Sequence, residues 1–284
     1  MTKFHIERLL PKTLPRLQEL LVRGYFVHRH NDWLNPEDIL EEGYVFVLND
    51  GQKTVSVIGL SKPAHQLSWL HFLVMLNRSC SLAEVWKSFF KDLQIQRIFS
   101  GVRIFFIPDE VLIGLLNPHL TFRHEGEVIF MQTTGTPLLK QNCESRLEIV
   151  SAPTSEEISF FLESSFPPLW RLSIRNIERS LEVSDDKLFF EKEGKLVGYL
   201  LSNRDEGSVN ISRLAVASDH WQKGIGTEML SIFFESFPAG HHQNFTVNTY
   251  RANHAAIALY RKFGFRLYDR RLPVYSFFMR SDIY

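Results

Sequence analysis

At 284 residues, 44% hydrophobic and 23% charged, the chain has room for one large domain or two ordinary ones, each with a packed core. Lysine plus arginine and aspartate plus glutamate both number 32, which excludes a global pull toward nucleic acid or an acidic membrane surface. Two isolated cysteines, Cys80 and Cys143, argue against a disulfide scaffold or a zinc site and fit a reducing compartment. The opening residues lack a signal-peptide pattern, and the most apolar window, 67–76, is too short to cross a bilayer, so a soluble cytoplasmic protein is expected.

In chain order, a helical start is followed by two β-rich runs, 43–60, joined at Asn49-Asp50-Gly51, a hairpin signal. Segment 25–33, YFVHRHNDW, reads as a helix and a loop near the surface, with a cleft-facing position as the alternative. A strand-like run, QLSWLHFLVML, precedes a helix from Ser81, a strand from Val102, a short helix and closing strands. Residues 133–145 carry turn chemistry and read as a joint. The second half repeats the pattern: a hairpin at 187–203 turning on Glu193-Gly194, the strand SVNISRLAVAS, a helix from Gly226, a strand from Asn244, a helix and a closing pair of strands. The expectation is therefore an α/β protein of two tandem domains, 1–140 and 146–284, each a mixed sheet flanked by helices. The alternative is one large α/β domain whose hairpins resemble each other by chance.

Residues 214–234, LAVASDHWQKGIGTEMLSIFF, place Gly224 and Gly226 between an apolar strand and an apolar-periodic helix. Glycines there either make a tight turn or expose successive amides, which at a helix N-terminus form an anion site. The spacing fits neither the triphosphate nor the dinucleotide fingerprint. Residues 248–269 then give the end of a strand and a helix opened by Asn253 as N-cap and closed by Gly264. On that helix Ala256, Leu259, Tyr260 and Phe263 recur at helical spacing, most of them as core.

Together, the glycine loop and the succession Asn253, Ala256, Leu259, Tyr260, Lys262, Gly264 and Phe265 resemble the GCN5-related N-acetyltransferases, the GNAT superfamily, over residues 146–284. The resemblance implies acetyl-CoA as co-substrate and no metal. It implies that the loop Gln222, Lys223, Gly224, Ile225, Gly226 and Thr227 holds the phosphates, and that the main chain of Leu214, Ala215 and Val216 pairs with the pantetheine arm. Asn253 would touch that arm, the following strand would splay away to open the groove, and Tyr260 would protonate the leaving thiolate. A phenol with a pKa near 10 is a competent donor to a thiolate, and a main-chain N–H of the 214–216 strand could hold the oxyanion. The segment 272–280 looks like the last strand of the same fold.

Two positions depart from the family. Trp221 stands where the loop usually begins with Arg or Gln, and Asn210 stands where some members carry a basic Glu; Ser212, a relayed water, Glu206 and His220 are weaker substitutes, and the base is left unassigned. The first half keeps the element order but has NRSC in place of the glycine loop and Leu115-Leu116 in place of Leu259-Tyr260, so no CoA site is expected there. The expected activity is acetyl transfer to a primary amine of a small molecule or peptide. A non-catalytic acyl-CoA-binding protein and a double-GNAT aminoacyl transferase are the alternatives. No nucleic acid or membrane partner is expected.

Overall fold

The computed structural model describes residues 4–29, 34–51, 53–109, 111–113, 122–135, 147–237 and 243–278. They fall into two compact units, 1–125 with 273–284, and 126–272. The units do not follow the contiguous split at 140–146. Each is completed by a strand drawn from the other half of the sequence.

The first unit holds β1 (His5–Leu9), α1 (Leu14–Arg23), β2 (Phe26–Arg29), α2 (Pro36–Glu42), β3 (Tyr44–Asp50), β4 (Lys53–Leu60), β5 (Leu67–Met75), α3 (Leu82–Lys91), α4 (Leu93–Phe99) and β6 (Arg103–Phe106). Strands β1, β3, β4 and β5 are antiparallel neighbours, and β5 runs parallel to β6. Period-two alternation feeds both faces of the sheet. Phe46 and Leu48 join a core with Trp86, Phe89 and Phe90, while Val45 and Val47 join another with Leu17, Leu20 and Ile39. The single helix expected from Ser81 is two, because Asp92 caps a new start by accepting from the amides of Gln94 and Ile95. Residues 26–29 of the YFVHRHNDW segment are strand β2 rather than helix or surface loop. The unit's outer strand is the tail of β13 (Arg266–Phe278), where Tyr275 to Phe278 pair antiparallel with Phe106 to Arg103.

The second unit holds most of β7 (Arg123–Thr134), β8 (Glu148–Val150), α5 (Ser155–Ser165), α6 (Ile174–Val183), β9 (Asp186–Lys192), β10 (Lys195–Asp205), β11 (Ser208–Val216), α7 (Ile225–Glu235), β12 (Asn244–Tyr250), α8 (His254–Lys262) and the start of β13. Its strands lie in the order β7-β12-β11-β10-β9-β8, with β11 and β12 as the parallel pair. Glu193 and Gly194 both take positive φ in the two-residue turn between β9 and β10, as a type I′ hairpin requires. Residues expected as a joint are partly strand, since β7 runs to Thr134 and pairs with β12 from Val128 onward. Residues 136–145 of that joint, and Leu115-Leu116, lie outside the described residues. Instead of a closing pair, one long strand follows α8. Helices α7 and α8 cover one face around Phe233, Phe234, Phe245 and Tyr260, and α5 and α6 cover the other around Phe161, Ile177, Phe189 and Tyr199.

Candidate active site

The site begins where two parallel strands part. β11 and β12 pair from Ser208↔Asn244 to Ile211↔Val247 and no further, although β11 continues to Val216 and β12 to Tyr250. Beyond that point each strand keeps only its outer neighbour. Leu214, Ala215 and Val216 face Leu200, Tyr199 and Gly198 of β10, and Asn248 to Tyr250 face Phe130 to Val128 of β7. A wedge therefore opens in the sheet, its two edges paired with no strand across the gap. Asn210 sits at its apex and donates from its side-chain amide to Thr246 Oγ1 at 3.0 Å, tying the strands just before they separate. Ser212 spends its hydroxyl on the Leu201 carbonyl at 3.2 Å. An amide so engaged accepts no proton, and neither residue is a base.

On one face of the wedge lies the glycine loop. Gly224 is the N-cap of α7 with φ of +84°, and a Cβ there would meet nothing within 4 Å. Its carbonyl takes the amides of Thr227 and Glu228, both at 3.0 Å. Among the described residues, the amides of 223–226 make no well-formed hydrogen bond, and no side chain caps this helix. Gln222 also takes a positive φ, 61°. Gly226 answers to packing: a Cβ there would lie 3.0 Å from Leu259 Cδ2 and 3.6 Å from Val216 Cγ2. It lets α7 start against both α8 and the wedge strand. Trp221 supplies order in place of the expected side-chain contact, its indole N–H donating to the Val216 carbonyl at 2.8 Å.

Helix α8 brings the other candidates. Asn253 caps it, its Oδ1 accepting from the Ala256 amide at 3.1 Å. Tyr260 is 4% exposed and packs on Phe265 with ring centroids 5.7 Å apart. Burial raises its pKa above the usual tyrosine value, and the positive charge of Arg213 pulls the other way. Among the described residues its hydroxyl has no hydrogen-bond partner. The phenol is thus held protonated through neutral pH, with a cation placed to favour the phenolate once the proton leaves.

Arg213 was not singled out from the sequence. Its signal was alternation: it precedes Leu214 on the wedge strand, so it points to the face opposite Leu214 and Val216. There it stacks on Phe166 at 4.1 Å and donates to the Trp170 carbonyl at 3.0 Å. The Trp170 ring meets Tyr250 of β12, centroids 5.4 Å apart. One short turn, Pro168–Trp170, therefore touches both limbs of the wedge.

Residues 153–265 match the acetyltransferase (GNAT) family model. This region is a GNAT domain. The whole chain superposes on solved structures at low identity, which speaks for the fold alone. One is a GCN5-related N-acetyltransferase from Sphaerobacter thermophilus, 13% identical with TM-score 0.52, covering 100% of this chain and 98% of that one. A probable N-acyltransferase from Enterococcus faecalis V583 is 12% identical with TM-score 0.68, covering 98% and 73%. A tandem GNAT protein from the clavulanic acid biosynthesis pathway is 12% identical with TM-score 0.57, covering 98% and 100%. No curated protein matches the sequence. The fold is thus two GNAT-like domains in tandem, each a mixed sheet with flanking helices.

The corresponding place in the first unit is built differently. There β5 and β6 pair only from Leu67↔Arg103 to Trp69↔Phe105, as in the GNAT domain's wedge. Further along β5, however, β2 pairs with it antiparallel from Arg29↔Phe72 to Phe26↔Met75, while β4 pairs with the same stretch as well. Both edges of β5 are taken. The helix that follows is also closed to an anion, because Ser81 accepts from the Glu84 amide and Glu84 takes the Ser81 amide in a capping box. Among the described residues no group of three His, Cys, Asp or Glu is placed to hold a metal ion, and no helix is long and apolar enough to cross a membrane.

Proposed function

We propose that the GNAT domain transfers the acetyl group of acetyl-CoA to a primary amine of a small molecule or peptide, by direct attack on the thioester, in the cytoplasm. The observation that carries this reading is the wedge: β11 beyond Ile211 offers main-chain donors and acceptors that no strand uses. An extended amide-bearing arm fits such an edge as an added strand would. The pyrophosphate would rest on the amides of 223–226, at the uncapped start of α7. Lys223 and Gln222 flank that cradle, and Ile225, Gly226 and Thr227 form the first turn beneath it. Asn253 keeps an amide N–H₂ free for the arm while its oxygen caps α8.

The amine nitrogen attacks the thioester carbon, and a main-chain N–H of the 214–216 segment receives the oxyanion. Collapse breaks the C–S bond, the thiolate takes the proton of Tyr260, and the surplus proton on the amide nitrogen leaves to water, from which the phenolate is reprotonated. Phenolate formed in this step faces the charge of Arg213. The amine enters as its free base, since Asn210 and Ser212 are both committed to structural hydrogen bonds. The first unit, with its β5 edges occupied, binds no coenzyme and serves as a structural partner.

Calorimetric titration with acetyl-CoA, followed by thiol release with a panel of amines, tests this. One micromolar site and amine-dependent thiol are expected. Binding without thiol from any amine makes the domain a non-catalytic acyl-CoA binder, and absence of binding removes the acetyltransferase reading.

A further inference from the structure

On the α5/α6 face of the wedge, Arg213 is a cation without a carboxylate. One guanidinium N–H reaches the Trp170 carbonyl and one face covers the Phe166 ring, but its Nε is buried and donates to nothing. Among the described residues no acidic side chain pairs with it. Beside it the Tyr199 hydroxyl, on a residue 1% exposed, also makes no well-formed hydrogen bond. The two side chains share a face by register: Tyr199 lies opposite Ala215, and Arg213 opposite Leu201, on the β10–β11 ladder. The guanidinium exerts its charge on both Tyr199 and Tyr260, so it stands within electrostatic reach of the candidate acid.

The guanidinium is partly buried and lies against the Tyr199 hydroxyl, but its charge meets no counter-charge among the described residues. A partly desolvated cation without a carboxylate is completed by an anionic ligand. The Arg213 fork has the shape of a carboxylate, which can accept two parallel N–H bonds. The neutral phenol of Tyr199, enclosed beside it, holds the guanidinium in place. The glycine loop lies on the opposite face, where Leu214 and Val216 pack with α7 and α8. A coenzyme held there leaves the Arg213 face for the second substrate.

We propose that Arg213, positioned by Tyr199, anchors a carboxylate of the acceptor, and that the acceptor is therefore an amine of the amino-acid class. This rests on the acetyltransferase reading above. The anchored carboxylate holds the amine at the apex of the wedge, within reach of the thioester. Phe166 and Trp170 exclude water from the ion pair, which strengthens it.

The test is calorimetric titration of the full chain with N-acetylated amino acids, each against its own neutral carboxamide, with and without coenzyme A. At least one acid is expected to bind about tenfold to a hundredfold more tightly than its carboxamide. Arg213→Gln should erase that preference and Arg213→Lys should keep part of it, both with unaltered coenzyme A affinity. Equal binding of acid and carboxamide, no binding of either, or a preference that survives in folded Arg213→Gln overturns the assignment. Should Arg213→Gln fail to fold, Arg213→Lys carries the comparison, and an undiminished preference in it overturns the bidentate anchor. A separate coenzyme A titration reads the acetyltransferase proposal, so the two can fail independently.

Discussion

Replacing Tyr260 with phenylalanine separates a chemical role from a structural one. The ring is 4% exposed and stays against Phe265, so the aromatic packing is kept. Only the hydroxyl goes, and among the described residues it holds no hydrogen bond. The hydroxyl is not among the fully buried unpaired groups, so its removal should leave stability within about 0.5 kcal/mol of the parent. Turnover should fall. Losing a positioned proton donor costs about 10²- to 10⁴-fold, or about 3–5 kcal/mol of barrier at 1.36 kcal/mol per tenfold. Acetyl-CoA affinity should stay within about twofold, since pantetheine and phosphates meet other residues. The assay is thiol release under saturating substrates, with Tm and acetyl-CoA affinity read on the same preparation. Turnover within about threefold of the parent refutes the role; a marked fall in Tm refutes the claim that the hydroxyl supports no structure.

Gly224→Ala should cost about 1 kcal/mol from its left-handed backbone, with no clash inside the protein, and should weaken acetyl-CoA binding at least tenfold. Gly194→Ala carries the same strain at φ of +73° in open space and should lose similar stability with coenzyme binding intact; equal affinities in the two variants would sink the cradle. Burial raises the pKa of both Tyr199 and Tyr260, so below about pH 10 both are neutral folded and unfolded. Above it the unfolded chain ionises first, and denaturant titrations should show stability falling with rising pH, less steeply in Tyr260→Phe. Acetyl-CoA should saturate at one per chain, and a stoichiometry of two would overturn the account of β2 as the occupant of the first unit's β5 edge.

The loop and helix of the proposed coenzyme site were legible because their signals are local. A glycine at positive φ, an N-cap asparagine and a helical stripe ending in Gly264 are each set by a few neighbouring residues. Gly226 was read for exposed amides, yet its constraint is the Leu259 side chain, which only the packed helices reveal. Strand partners were not legible. Nothing in VYSFF says that it pairs with β6, since an edge accepts any strand of matching alternation. The same holds for FVHR of β2, too short for period two to show. Arg213 escaped because a charge in a strand ordinarily marks the solvated face; here it meets Phe166 and Trp170.

The crossed strands have a consequence for the order of synthesis. The first unit's sheet ends at β6 until residues 275–278 have been made, with the whole of residues 107–274 coming in between. Phe277, which packs on Trp86, Phe90 and Phe106, arrives with them. The nascent first half therefore waits with an open edge and an unsealed aromatic core while residues 107–274 are made. The second half, by contrast, finds β7 already made when β12 appears. The sequence-later unit can thus close first, and the sequence-earlier one last. A fragment stopped at residue 140 would keep that unfinished edge for good, which predicts aggregation where the full chain is monodisperse.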